Sequence, residues 1–360
     1  MSAASDLEFL RKIQRLLSEG EFVATYKFAL LQALADLSVE TVSSSGNSMR
    51  IALTDIAEKF IEYYWRQAIP YAPELDQVGV LKQNTGKQAA VINSIIKARN
   101  QFFGSIQLAR QNAASWKKLV AKVVGTIKDQ PLWKLQLVGK EIDEFIYRQD
   151  KLEDGCIELF PGVSSVFRSF HGLISNLVQG AWLGQIRRVR GNRILLGERG
   201  DLVEFLFGSE RRNLDAYRMV MRDYQRASCF YCGKQVLGEG NADHFIPWSR
   251  YPIDLGHNFV FAHPSCNGFK SDLLAHTDHL ARWRECNLEA SRELEDAFNF
   301  NELAHDVERS RHVAFWAYEQ GEQSRVHTYL GKGDYPSLDG SWREAMGGLR
   351  AVAEAPASYD

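Results

Sequence analysis

Cys229 and Cys232 stand two residues apart with Gly233 beside them, and His263 and Cys266 repeat the spacing after 30 intervening residues. Two pairs of soft ligands, each closed over two residues, can give one Zn²⁺ a tetrahedral set. Gly233 lets the first pair turn back. A redox reading of the cysteine pair lacks the βαβ pattern that would surround it. A disulfide framework is disfavoured by the odd count of five cysteines.

Between the two pairs lie residue types suited to harder chemistry. Asp243 and His244 are adjacent, so on a strand they point to opposite faces. Pro247 ends that strand. Asn258 precedes the apolar run Phe259 to Ala262, a second short strand, and Asn267 follows Cys266 at a helix start. Oxygen ligands from Asp243 and Asn267 suit a six-coordinate ion such as Mg²⁺ or Mn²⁺ rather than zinc. A neutral imidazole beside such an ion can take a proton from water. An isolated Asp-His pair would more often be a turn cap.

Taken together, Cys229-x2-Cys232, Asp243-His244-x2-Pro247, Asn258 and Cys266-Asn267-x2-Lys270 resemble the HNH endonuclease family. The resemblance covers about 50 residues. It implies a ββα-metal fold of two strands and a helix around one catalytic ion, with His244 as general base. Asp243 and Asn267 would hold the Mg²⁺ or Mn²⁺, Asn258 would brace the loop that aims His244, and Lys270 would meet DNA. The second zinc pair begins with His263 where the family often has cysteine, which leaves His257 as another candidate for the fourth ligand. The resemblance implies hydrolysis of DNA phosphodiester bonds to a 5′-phosphate and a 3′-hydroxyl. It also implies a place in restriction or phage defence, with a homodimer or a defence-system protein as partner.

The surrounding chain must position this block. Its 360 residues are 45% hydrophobic and 24% charged, ordinary for a globular protein, and long enough for two or three domains. We expect a mainly α protein with a small α+β nuclease module stapled by zinc. The expected divisions are a helical region over 1–130, a mixed connector over 131–208, the module over 209–285, and a helical scaffold over 286–360. Apolar spacing predicts one helix ended by Gly20, a second capped by Thr25, a connector over 41–48, a strand at Ile51 and Leu53, and a helix capped by Thr54. That order is compatible with a winged helix, although an ordinary helical bundle has the better prior. Ala24 to Leu31 is similar to the openings of bacterial restriction-type HNH proteins. Gly191-Asn192 reads as a hairpin turn into a strand over 194–196. Cys156 reads as a small core residue, and His276 and His279 as surface or packing residues. Residues 350–360 read as disordered. No run of 18 apolar residues and no signal-peptide pattern is present, so a cytoplasmic location and no membrane contact are expected.

Net charge is −2, so any hold on nucleic acid must be local. Residues 81–130 carry nine cations, Lys87 among them, against the single acid Asp129. A solvated face normally mixes signs. Lys117, Lys118 and Lys122 are therefore candidate phosphate contacts, as are Arg187 and Arg188. The competing class is a non-catalytic zinc-containing nucleic-acid-binding protein, in which the Asp243-His244 pair is inert.

Overall fold

The computed structural model describes residues 3–20, 22–41, 48–71, 79–86, 88–196, 201–208 and 211–347. The connector over 42–47, Lys87 and the terminus over 350–360 lie outside the described residues. The chain folds into two compact units, Met1–Ser209 and Glu210–Asp360. The divisions expected near 130 and 285 fall inside them. The fold is mainly helical, and the strands occur as small two-stranded sheets.

The first unit is built around the helix Tyr26–Glu40, all 15 residues of which are buried. It packs against Leu53–Gln67 and His171–Arg188, and Ala113–Asp129 closes over Leu53–Gln67. A helix surrounded on every side must satisfy its polar residues internally. Asp36 does so through His171 Nε2 (2.8 Å), Tyr63 Oη (2.6 Å) and Gln32 Nε2 (2.8 Å). Glu40 takes Lys59 at 2.5 Å, and Lys59 also reaches Glu62 at 3.3 Å. Burial pushes the Asp36 carboxyl up, but the hydrogen bond and charge of His171 outweigh it and hold it below its ordinary value.

Five local expectations are corrected. Thr25 does not cap with its side chain; its hydroxyl is spent on Tyr64 Oη (2.7 Å) and Gln83 Oε1 (2.9 Å). The strand is Met49–Ala52, paired antiparallel with Cys156–Leu159, and Leu53 already opens the next helix. Ala52 is therefore the N-cap and Thr54 lies inside the first turn. Residues 190–196 form a 3₁₀ turn and a short helix rather than a hairpin, because the Asn192 side chain bonds the backbone of Lys82 and Ile186. Cys156 sits half-buried at the sheet, not in the core.

The second unit begins with the helix Arg211–Tyr224, which packs on the antiparallel pair Asn241–His244 and Phe259–Ala262. The pairing sets Asp243 opposite Val260 and His244 opposite Phe259. The helix Pro264–Lys270 follows directly. Stacking fixes the layer behind: Tyr217 lies on Phe259 at 4.3 Å and Phe245 on Trp283 at 4.7 Å. Trp283 Nε1 donates to His257 O (2.9 Å), and Asn287 Nδ2 donates to His257 O and Phe259 O. Among the described residues no helix is long and apolar enough to cross a membrane.

Candidate metal centre and active site

The Cys229–Cys232 turn is closed by Gly233 N on Cys229 O (2.9 Å) and by Cys229 N on Lys234 O (2.9 Å). Gly233 has φ +70°, a left-handed conformation that a side chain would strain. Phe230 N donates to Phe261 O (2.8 Å), which ties the turn to the second strand just before His263. The ligand atoms of Cys229, Cys232, His263 and Cys266 thereby lie within 4.8 Å of one another.

Three further observations fit a zinc ion in this set. His263 Nδ1 faces Cys232 Sγ at 3.4 Å while Nε2 lies 3.2 Å from Gln235 O. A proton on Nε2 held by that carbonyl leaves Nδ1 free to ligate, the usual support for a metal-bound histidine. His263 N donates to Cys229 Sγ (3.4 Å), which fixes that sulfur beside the other ligands. Burial and the facing sulfurs of Cys229 and Cys232 push the Cys266 thiol up to about 12. At Cys232 burial acts the same way, but hydrogen bonds from the Lys234 backbone and the other ligands bring that thiol below its ordinary value. Three thiols facing one another resist ionising together, and a divalent cation removes that resistance. His257, the other candidate ligand, is fully buried against Phe298 and His305 and does not belong to this set.

Asp243 and His244 take opposite faces of their strand. Asp243 is buried, where its Oδ2 accepts from Tyr231 Oη at 2.5 Å and pairs with Lys270 Nζ at 3.2 Å. Lys270 Nζ also donates to His244 O at 2.9 Å. Lys270 is 0% exposed. It is thus turned inward onto Asp243, not outward towards a phosphate. Burial lowers the pKa of Lys270, and Asp243 opposes that shift.

His244 lies on the more open side, where Nε2 sits 2.7 Å from Asp254 Oδ1. Its ring rests on Phe259 at 4.3 Å and beside Trp248 at 5.2 Å. Asn258 grips the backbone after His244 from both directions: Ile246 N donates to its Oδ1 (2.8 Å), and its Nδ2 donates to Ile246 O (3.0 Å). The loop carrying His244 and the loop carrying Asp254 are thereby held together.

Asn267 occupies the middle of its helix, not the start. Pro264 at the first position, with its fixed φ, begins the helix earlier. The Asn267 side chain makes no hydrogen bond among the described residues. Sequence reading missed Asp254, Tyr231 and Gln235. The one available signal for Asp254 was its place between Pro252 and Gly256, in the loop after the Asp-His strand.

Lys117, Lys118 and Lys122 are exposed along Ala113–Asp129, and Arg187 and Arg188 are exposed in the last turn of His171–Arg188. His276 accepts from Asp278 N as a helix cap, and His279 is buried with Nε2 on Leu330 O (3.0 Å).

Comparison with curated proteins and with solved structures finds no match to this chain. Residues 6–206, more than half of the chain and nearly the whole of its first unit, match the family model described as a domain of unknown function, DUF8808, and the chain belongs to that family.

Proposed function

We propose that the Glu210–Asp360 unit is an HNH-type endonuclease module, a zinc-stapled ββα-metal site that hydrolyses DNA phosphodiester bonds. The observation that carries this reading is the His244–Asp254 contact, 2.7 Å, on a loop gripped by Asn258. With its Nε2 proton held by the Asp254 carboxylate, His244 presents Nδ1 as the base that takes a proton from the attacking water. Asp254 holds the ring in that tautomer and stabilises the imidazolium that forms. Asn258 keeps both loops in register during the proton transfer. Water adds to phosphorus in line, the bond to the 3′-oxygen breaks, that oxygen takes a proton from solvent to become a hydroxyl, and a 5′-phosphate remains. One such site cuts one strand; a homodimer or successive nicks would cut both.

The donor types of Asp243 and Asn267 suit Mg²⁺ or Mn²⁺. Bound there, the ion would withdraw charge from the phosphate and the departing oxygen. The Asp243 carboxylate already has a cation, the Lys270 ammonium at 3.2 Å, so Lys270 must yield for these residues to serve. The same pair favours a second reading, a non-catalytic zinc-containing nucleic-acid-binding protein in which Asp243 and Lys270 are a buried structural pair. Nicking of supercoiled plasmid with and without Mg²⁺ or Mn²⁺ separates the two. Ion-dependent nicking supports the nuclease, and intact plasmid under both conditions supports the binding protein. A role in restriction or phage defence rests on family resemblance alone.

A further inference from the structure

Asn192 is fully buried in the DUF8808 unit. Its Oδ1 accepts from Lys82 N at 2.7 Å, and its Nδ2 donates to Lys82 O at 2.9 Å and Ile186 O at 3.0 Å. These bonds staple a loop 110 residues distant in sequence to the end of the helix His171–Arg188. The Lys82 side chain crosses Gly191 so closely that a Cβ there would meet its Cδ at 2.9 Å and its Nζ at 3.1 Å. Lys82 therefore lies at Gly191, which stands in sequence between Arg190 and Arg193, and Arg187, Arg188, Arg190 and Arg193 are all exposed. None of the five side chains makes an ion pair among the described residues. Glu198 and Arg199 lie outside them.

The lysine stripe on Ala113–Asp129 is different. Its neighbouring carboxylates are close and engaged: Glu62 takes Arg110 at 2.6 Å, and Glu58 takes Trp116 Nε1 at 3.2 Å. Glu58 stands at Trp116, next in sequence to Lys117, whereas among the described residues no carboxylate pairs with the arginine cluster. Four exposed guanidiniums within seven residues suit a polyanion with regularly spaced charge, because each fork can take one phosphate. Among the described residues of this segment Ile194 is the one large apolar side chain exposed, too little for the buried centre of a protein interface.

We propose that Lys82, Arg187, Arg188, Arg190 and Arg193, held together by Asn192, form the principal phosphate-backbone site by which the DUF8808 unit grips DNA. The site needs no metal and stands whether or not the second unit cleaves.

The test is anisotropy of the full chain on labelled duplex and single-stranded DNA without added divalent ion, across a salt series. Neutralising Arg188, Arg190 and Arg193 to Gln should flatten the slope of log affinity against log salt by about 2.7 units on duplex. That slope change corresponds to about a hundredfold weaker binding near 0.15 M salt, vanishing towards 1 M. Gly191→Ala, which displaces only Lys82, should remove about one contact, a slope change of about 0.9. Lys117→Gln/Lys118→Gln/Lys122→Gln should cost less than the arginine variant. A matching loss on single strands would extend the site to any DNA backbone, and a loss on duplex alone would restrict it to the double helix. An arginine variant that keeps wild-type affinity and slope on both DNAs overturns the proposal, as does a larger loss from the lysine variant. Absence of plasmid nicking with binding intact would count against the nuclease reading alone.

Discussion

Lys59 and Glu40 meet at 2.5 Å in the first unit, and Lys270 and Asp243 meet at 3.2 Å in the second, each pair nearly sealed from water. The surroundings differ. In the first unit Asp36 joins Gln32, Tyr63 and His171 across three helices, and Lys59 joins Glu40 and Glu62 beside them. In the second unit the buried pair is one residue away from a half-open histidine with a carboxylate of its own. The first arrangement fixes which helix faces which; the second holds charge beside a place where chemistry can occur. Net charge divides the same way. Residues 1–209 carry 26 Lys and Arg against 22 Asp and Glu, and residues 210–360 carry 17 against 23. The basic unit is suited to hold a polyanion. The acidic unit carries no such excess of cations.

The largest expected difference between the units concerns zinc. Cys229→Ser and Cys266→Ser should each lose the ion, and the second unit should lose its fold with it, because a structural zinc contributes on the order of 10 kcal/mol to folding. Hydrogen exchange should show protection lost over 211–347 and kept over 26–40. One zinc per chain retained in both variants would mean that the four-ligand set is misassigned. The converse change is Asp36→Ala, which strands His171 and Tyr63 and should cost the first unit about 3–5 kcal/mol. Zinc content should stay at one per chain. A Tm of the first unit unchanged from wild type would show that the network adds nothing.

Acid should act unequally. Burial is the leading cause that lowers both His257 and His279 to about 4, against an ordinary value near 6.5. Unfolded chains therefore bind these protons first, and the second unit loses stability as pH falls from about 6.5 towards 4. Asp36 has its pKa lowered, so its contribution is present above the ordinary carboxyl value and is lost only below it. Proteolysis mapped at pH 5 should open 211–347 before 26–40. His279→Gln, which can keep the bond to Leu330 O, should reduce that sensitivity. Equal acid sensitivity in both units would break the comparison.

The zinc set was legible because each half is local, two residues wide, and zinc chemistry constrains residue type strongly. Asp243, His244 and Asn258 were legible from strand alternation and from the resemblance. Asp254 was not, since nothing in the sequence shows that the loop Trp248 to Leu255 folds its single carboxylate back onto His244. Lys270 was read as a DNA contact through the motif Cys266-Asn267-x2-Lys270 of the resemblance, which does not show that its partner lies 27 residues earlier. The central helix shows the same limit. Spacing marked Tyr26, Ala29, Leu30, Ala33, Leu34 and Leu37 as one buried side, but Gln32, Asp36 and Glu40 are buried as well. Their burial depends on His171, Ser175 and Lys59, partners that periodicity within one helix cannot locate.

His244→Ala tests the central claim most directly, read as plasmid nicking in Mg²⁺ or Mn²⁺ alongside zinc content and unfolding temperature. The account predicts that nicking disappears while the chain keeps one zinc and its wild-type melting behaviour. A folded, zinc-loaded His244→Ala protein that nicks plasmid at the wild-type rate would contradict it.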